Sequence, residues 1–134
     1  MTRLRIPEVA RLLGVSDDTV RRWIDQGRLP AERGAGGRLH VDGATVARFV
    51  ADRRRGADDG AVPSSARNRF EGIVTDVQRD RLVAVVEVQA GPFRVVSMMT
   101  REAADELGLE PGVLATALVK ATNVIVERSS SEAE

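Results

Sequence analysis

The chain has no cysteine and no tyrosine, and only one histidine and one tryptophan among its 134 residues. Without thiols, disulfides and thiolate metal centres are excluded, and a single imidazole cannot build a histidine-based metal site. There is no long apolar run and no leader-like start, so a cytoplasmic setting without a membrane span is expected. Its polar residues form no catalytic constellation, which points to a binding protein rather than an enzyme.

Net charge is also lacking, but only as an average: 20 basic side chains balance 20 acidic ones. Residues 1–55 hold twelve arginines against seven carboxylates, a net of +5, whereas residues 56–134 hold eight basic against thirteen acidic groups, a net of −5. A split of this kind indicates two domains, and a basic half commonly meets a polyanion. Lysine is the rarest absence. Of the twenty basic side chains only Lys120 is not arginine. It stands in an otherwise apolar run, where it is either a solvated charge at a strand end or a compact ammonium required where a planar guanidinium would not fit.

The basic half reads as helices and a hairpin. Pro7 opens a first helix in which Val9, Leu12 and Leu13 share a face, and Gly14 ends it. Ser16 caps a second, Asp17 and Asp18 suit its positive end, and Val20, Trp23 and Ile24 repeat the apolar spacing until Gly27. At that spacing Trp23 is core. Residues 31–33 and 38–41, joined by Gly34-Ala35-Gly36-Gly37, predict a hairpin, or wing. Asp42 is placed to cap a third helix, with Val46, Phe49 and Val50 inward and Arg53, Arg54 and Arg55 at its negative end.

This order of parts, carried by Ile6-Pro7-Glu8-Val9-Ala10, Val15-Ser16, Thr19-Val20-Arg21-Arg22-Trp23 and Gly27-Arg28-Leu29-Pro30, resembles the winged helix-turn-helix of excisionases and the MerR group. The resemblance implies double-stranded DNA as a partner, with the second helix in the major groove and the wing on the backbone or minor groove. Arg21, Arg22 and Arg38 are then the first candidates for DNA contact, each otherwise a solvated surface charge. Thr19 either meets a base or buttresses the helix start. Asp17 and Asp18 depart from a phosphate-facing helix start: they cap locally, select cytosine amino groups, or weaken binding.

Residues 56–64 have the small, polar, Gly- and Pro-bearing composition of a linker, and the tail 129–134 has nothing to bury and is expected to be disordered. Between them, residues 70–77, 82–88, 93–99, 113–121 and 124–127 are rich in β-branched and apolar side chains, which predicts five strands. Thr100 caps one short helix that ends at Gly108. The fold class expected is α+β in two domains: a small winged helix-turn-helix over 1–55 and a five-stranded OB-like β-barrel with one short helix over 65–128.

Three motifs in this second half, Ser65-Ala66-Arg67-Asn68-Arg69-Phe70-Glu71-Gly72-Ile73-Val74, Leu107-Gly108-Leu109-Glu110-Pro111-Gly112 and Ala117-Leu118-Val119-Lys120-Ala121-Thr122-Asn123-Val124, resemble the molybdate-binding Mop or TOBE domain. Molybdate and tungstate are tetrahedral dianions that only accept hydrogen bonds, so their site needs donors and positive charge and should exclude carboxylates. The resemblance carries that role to Ser65, Arg67 and Lys120. Thr122 and Thr100 join them as further donors, although Thr100 already has a structural task as helix cap. It also implies a site shared between chains, hence a homo-dimer or higher homo-oligomer through the TOBE domains. Together the two halves read as a molybdate- or tungstate-responsive DNA-binding transcriptional regulator. The alternatives are a molybdate storage or buffering protein whose helix-turn-helix serves assembly, and a constitutive DNA-binding protein with an inactive anion site.

Overall fold

The computed structural model describes residues 2–55 and 62–129. Of the expected linker, residues 56–61 lie outside the described residues, as do residues 130–134 of the expected tail. The chain divides into two units, the second running Val62–Glu127.

In the first unit, strand β1 (Arg3–Arg5) leads directly into helix α1 (Ile6–Leu13). Pro7 suits the first turn, where its missing N–H has no intrahelical partner to lose. Glu8 Oε1 accepts from the Arg5 N–H at 2.9 Å. Gly14 closes α1 at φ 69°, the left-handed conformation that a side chain resists. Helix α2 (Asp17–Asp25) starts on Ser16, whose Oγ accepts from the Thr19 N–H at 3.1 Å. Strands β2 (Glu32–Arg33) and β3 (Leu39–Asp42) make the wing, with Ala35–Gly37 in a tight turn between them.

Strand β1 is an addition to the expected architecture. It pairs antiparallel with β3, Leu4 opposite Val41, and gives a three-stranded sheet in the order β1-β3-β2. Helix α3 (Gly43–Arg55) follows at once. Asp42, expected as its cap, is the last residue of β3, and it is the Gly43 N–H that is anchored, on the Thr2 carbonyl at 2.8 Å. One apolar cluster gathers Ile6, Val9 and Ala10 of α1, Val20 and Trp23 of α2, and Leu29, Val41 and Val46. Phe49 packs on Trp23 with ring centroids 4.9 Å apart, and the Arg53 guanidinium lies 4.9 Å over the same indole, a contact worth about 0.5–1 kcal/mol at an exposed site.

The second unit is a meander. Strands β4 (Asn68–Arg79), β5 (Val83–Ala90) and β6 (Phe93–Thr100) are followed by helix α4 (Arg101–Leu107) and strand β7 (Leu114–Val119). All pairs are antiparallel in the order β6-β5-β4-β7. Strand β5 shows the period-two pattern most plainly: Ala84, Val86, Val88 and Ala90 are buried while the residues between them are not. Val74, Val86, Val88 and Leu109 form the core. Thr100 caps α4 by accepting from the Ala103 N–H at 3.1 Å, and Gly108 ends the helix in the left-handed region. Arg79 fastens the far end of β4 to the α4 side: its Nη2 donates to the Leu109 carbonyl at 2.8 Å and its Nε to Asp105 at 3.1 Å.

Four strands form here instead of the expected five. After β7 the chain enters a tight turn at Ala121–Asn123, with the Asn123 N–H on the Lys120 carbonyl at 2.9 Å. That turn carries residues 124–127 off the ladder. Their β-branched composition is not enough, because a strand needs a backbone partner, and among the described residues they have none. Ile125 and Val126 stand 94% and 86% exposed. Strands β6 and β7 remain the two edges, so the sheet curls without closing into a barrel.

Two outcomes follow from this unit. A Cβ on Gly72 would lie 2.1 Å from the Gln89 carbonyl oxygen, backbone that cannot step aside. Gly72→Ala should therefore destabilise the unit by roughly 1–3 kcal/mol, as overpacking does, read as a lower urea midpoint. In the β4–β5 turn, Asp80 Oδ1 accepts from the Leu82 and Val83 N–H groups, both at 2.8 Å. The Val83 and Leu82 bonds, with a smaller contribution from Arg101, hold the Asp80 carboxyl below the usual carboxylate range. A carboxylate so lowered stabilises the fold above its unfolded-state pKa and loses that contribution as pH falls through its folded-state value. Asp80→Asn should flatten the acid limb of stability against pH, checked by denaturant midpoints from neutral to strongly acid buffer.

Candidate functional site

The anion-site candidates are ordered by strand register. Asn68 of β4 pairs with Val119 of β7, and one step further along come Arg67 and Lys120. Both lie just outside the ladder, next to its last pair, so the register brings their two segments to one end of the sheet. Asn68 fixes the pair from beneath, its Nδ2 donating to the Val119 carbonyl at 3.0 Å. Before it, Ser64 shapes the approach: its Oγ accepts from the Ala66 N–H at 3.1 Å and its carbonyl from Arg67 Nη1 at 2.9 Å. Ser65, Arg67, Lys120 and Thr122 are all exposed, and Thr122 sits in the Ala121–Asn123 turn that follows Lys120.

Two features favour anion capture at this end. Among the described residues neither Arg67 nor Lys120 forms a salt bridge, whereas Arg79 and Arg94 are each held by carboxylates. Arg69, two residues beyond Arg67 and opposite Leu118, is a third cation near this end, and it is paired with Glu71. Its buried Nε has no hydrogen-bond partner, although Glu71 Oε2 lies 3.6 Å away. Sequence reasoning passed over Arg69; the two-residue spacing from Arg67 was the available signal.

Thr100 is not at this end. It pairs with Val83 at the start of β5, beside the Arg79 terminus of β4. The 12 residues of β4 separate it from Arg67, roughly 35 Å of strand at about 3.3 Å per residue. Within one chain its hydroxyl serves α4 alone.

In the first unit the structure gathers Arg21 of α2 and Arg38 of the wing into one cleft of about 420 Å³. Arg5 and Arg33, which sequence reasoning left aside, line it as well, over a floor that includes Ile6 and Leu39. Arg22 stands outside that lining. Its Nη2 reaches Thr19 Oγ1 at 3.5 Å, and the same Oγ1 lies 3.0 Å from Ser16 Oγ, so the Thr19 hydroxyl buttresses the start of α2. Among the described residues there is no cluster of His, Asp or Glu able to hold a metal ion, and no helix is long and apolar enough to cross a membrane.

Comparison with known proteins separates the same two parts. The family model of the TOBE domain matches residues 64–126, and that of a helix-turn-helix domain matches residues 3–54. Molybdenum-pterin-binding protein 1 of Clostridium pasteurianum is 32% identical over 63 residues, 46% of this chain and 93% of that protein. A probable molybdenum-pterin-binding protein of Haemophilus influenzae is 40% identical over 63 residues, 46% of this chain and 91% of its own length. Among solved structures, a molybdate-binding protein from Sporomusa ovata is 30% identical at a TM-score of 0.48, covering 50% of this chain and all of that one. Because its C-terminal part spans nearly the full length of these small relatives at such identity, the chain belongs to the TOBE-domain family of molybdenum-pterin-binding proteins, with a helix-turn-helix domain placed ahead of the family's own fold.

Proposed function

We propose that this protein is a cytoplasmic transcriptional regulator that binds molybdate or tungstate with its C-terminal unit and double-stranded DNA with its N-terminal unit. The observation that supports the anion half is that the last pair of the β4–β7 ladder, Asn68 with Val119, is flanked by Arg67 and Lys120, and that among the described residues neither is paired with a carboxylate. A tetrahedral dianion accepts hydrogen bonds from every side. Lys120 supplies a compact charge, Arg67 the part of its fork not given to Ser64, and Ser65 and Thr122 hydroxyl donors. The names of the relatives, molybdenum-pterin-binding and molybdate-binding, support that choice of ligand.

Assembly is part of the same reading. Leu114 and Ile125, 81% and 94% exposed, are large apolar side chains in water, and β6 and β7 offer two unpaired edges. A homo-dimer or higher oligomer through the TOBE domains covers such surface. The storage alternative draws on relatives that consist almost wholly of the TOBE part. The arginine-lined cleft of the N-terminal unit favours DNA binding over a purely assembling role.

The test is a calorimetric titration with molybdate, paired with duplex binding in its presence and absence. Lys120→Ala should weaken molybdate binding at least tenfold, since a dianion loses one compensating charge. In the unmutated protein, saturating molybdate should change DNA affinity, and DNA should change molybdate affinity by the same factor. Unchanged molybdate affinity in the variant removes Lys120 from the site. A DNA affinity indifferent to molybdate leaves only the storage or constitutive readings.

A further inference from the structure

The candidate anion site carries an inference about how its arginine is held, which rests on the molybdate-binding reading and deepens it. We propose that Ser64 is a positioning residue of that site, and that its hydroxyl and carbonyl order Arg67 for a tetrahedral oxyanion without neutralising it. Ser64 lies outside strand β4 (Asn68–Arg79), in the exposed segment that leads into it. It makes two bonds there, and they act in series. Its Oγ accepts from the Ala66 N–H at 3.1 Å, which closes a turn and fixes where the Ser64 carbonyl points; that carbonyl then accepts from Arg67 Nη1 at 2.9 Å.

The kind of partner decides what such a bond does. Arg79 and Arg94 are held by carboxylates, and a carboxylate at that distance offsets the charge that an anion would seek. Ser64 offers Arg67 a neutral acceptor instead, and among the described residues no carboxylate pairs with Arg67. A carbonyl orders the guanidinium and leaves its full charge. The bond engages Nη1 alone. It leaves the Nε and Nη2 edge of the fork, which can meet an oxyanion through two parallel bonds.

Order matters here because Arg67 is exposed, just beyond the end of a ladder. An arginine free to sample its rotamers must lose that freedom when it grips a ligand, and the loss is subtracted from affinity. A side chain already held by its own backbone has lost it on folding. The backbone on the lysine side is fixed by neutral groups as well. The Asn123 N–H bonds to the Lys120 carbonyl at 2.9 Å, and Asn68 Nδ2 donates to the neighbouring Val119 carbonyl at 3.0 Å. Both segments that flank the last pair of the ladder are therefore braced through backbone carbonyls, and the bracing compensates neither cation.

Substitutions at both residues separate positioning from other roles. Ser64→Ala removes the acceptor that closes the turn, whereas Ser64→Asn restores one, because an asparagine side-chain oxygen accepts from the N–H two residues on in the same way. Arg67→Ala removes the group on which Ser64 acts. In calorimetric titration of the full-length chain, Ser64→Ala should bind molybdate roughly three- to tenfold more weakly, the factor that ordering one long side chain costs a binding event. Ser64→Asn should recover most of that loss. In the Arg67→Ala background, itself weaker, Ser64→Ala should change affinity less than about twofold, since the two residues act as a unit. Nitrogen relaxation of the Arg67 Nε–H group, recorded without any anion, should show it ordered in the unmutated protein and in Ser64→Asn, and mobile in Ser64→Ala. A loss in Ser64→Ala that persists undiminished in the Arg67→Ala background makes Ser64 a direct ligand and overturns the proposal. Tighter binding by Ser64→Ala overturns it too, by showing that the hydroxyl blocks a donor. Unchanged order of Arg67 in Ser64→Ala overturns the positioning role while leaving the molybdate reading intact. Absence of molybdate binding by the unmutated protein overturns both.

Discussion

The antiparallel register between β4 and β7 is the constraint on which the C-terminal unit depends. Pairing Asn68 with Val119 decides which residues stand just beyond the ladder, and those are Arg67 and Lys120. A slip of one residue would change which residues flank that last pair. Several independent contacts resist it: the Asn68 amide on the Val119 carbonyl, the bonds from Val74 N–H to the Val113 carbonyl and from Gly112 N–H to the Val74 carbonyl, and the burial of Val74. The anchor at the other end of the strand is Arg79, tied to Leu109, Asp105 and Glu110. Site geometry at one end of β4 thus rests on packing and ion pairs spread along its whole length.

A second regularity is where the protein leaves positive charge unpaired. Arg79 and Arg94 serve the scaffold and meet carboxylates; the Glu87 carboxyl is held below its ordinary range by its hydrogen bond from Arg94. Among the described residues, Arg67, Lys120 and the arginines of the N-terminal cleft have no carboxylate partner, apart from the long contact of Arg5 with Glu8.

Much of the local structure was legible in the sequence, because caps and apolar spacing act over four residues or fewer. Ser16, Thr100 and Gly108 announce helix ends, and Val20 with Trp23 announces a buried face, whatever the rest of the chain does. What was not legible depends on partners far away. Arg3–Arg5 becomes a strand only because residues near 41 lie alongside it, and residues 124–127 fail to become one although their composition favours it. The candidate sites divide in the same way. The resemblance of their motifs nominated Ser65, Arg67 and Lys120, and the register pairs Asn68 with Val119, the residues next to Arg67 and Lys120. It also sets Thr100 at the opposite end, and the sequence held no sign of that. Arg5 and Arg33 looked like two more surface arginines until the fold brought their segments together.

The uncovered residues Ile125 and Val126 bear on how the protein must be handled as well as on how it is built. Apolar surface left in water forgoes about 25 cal/mol for every Å² that could have been buried, so these side chains contribute stability only once another surface reaches them. If that surface is a second copy, part of the folding free energy becomes a function of protein concentration. The melting point would then drift downward on dilution, and the Lys120 end of the sheet, which the same segment adjoins through the Ala121–Asn123 turn, would lose order at abundances where the chain is scarce.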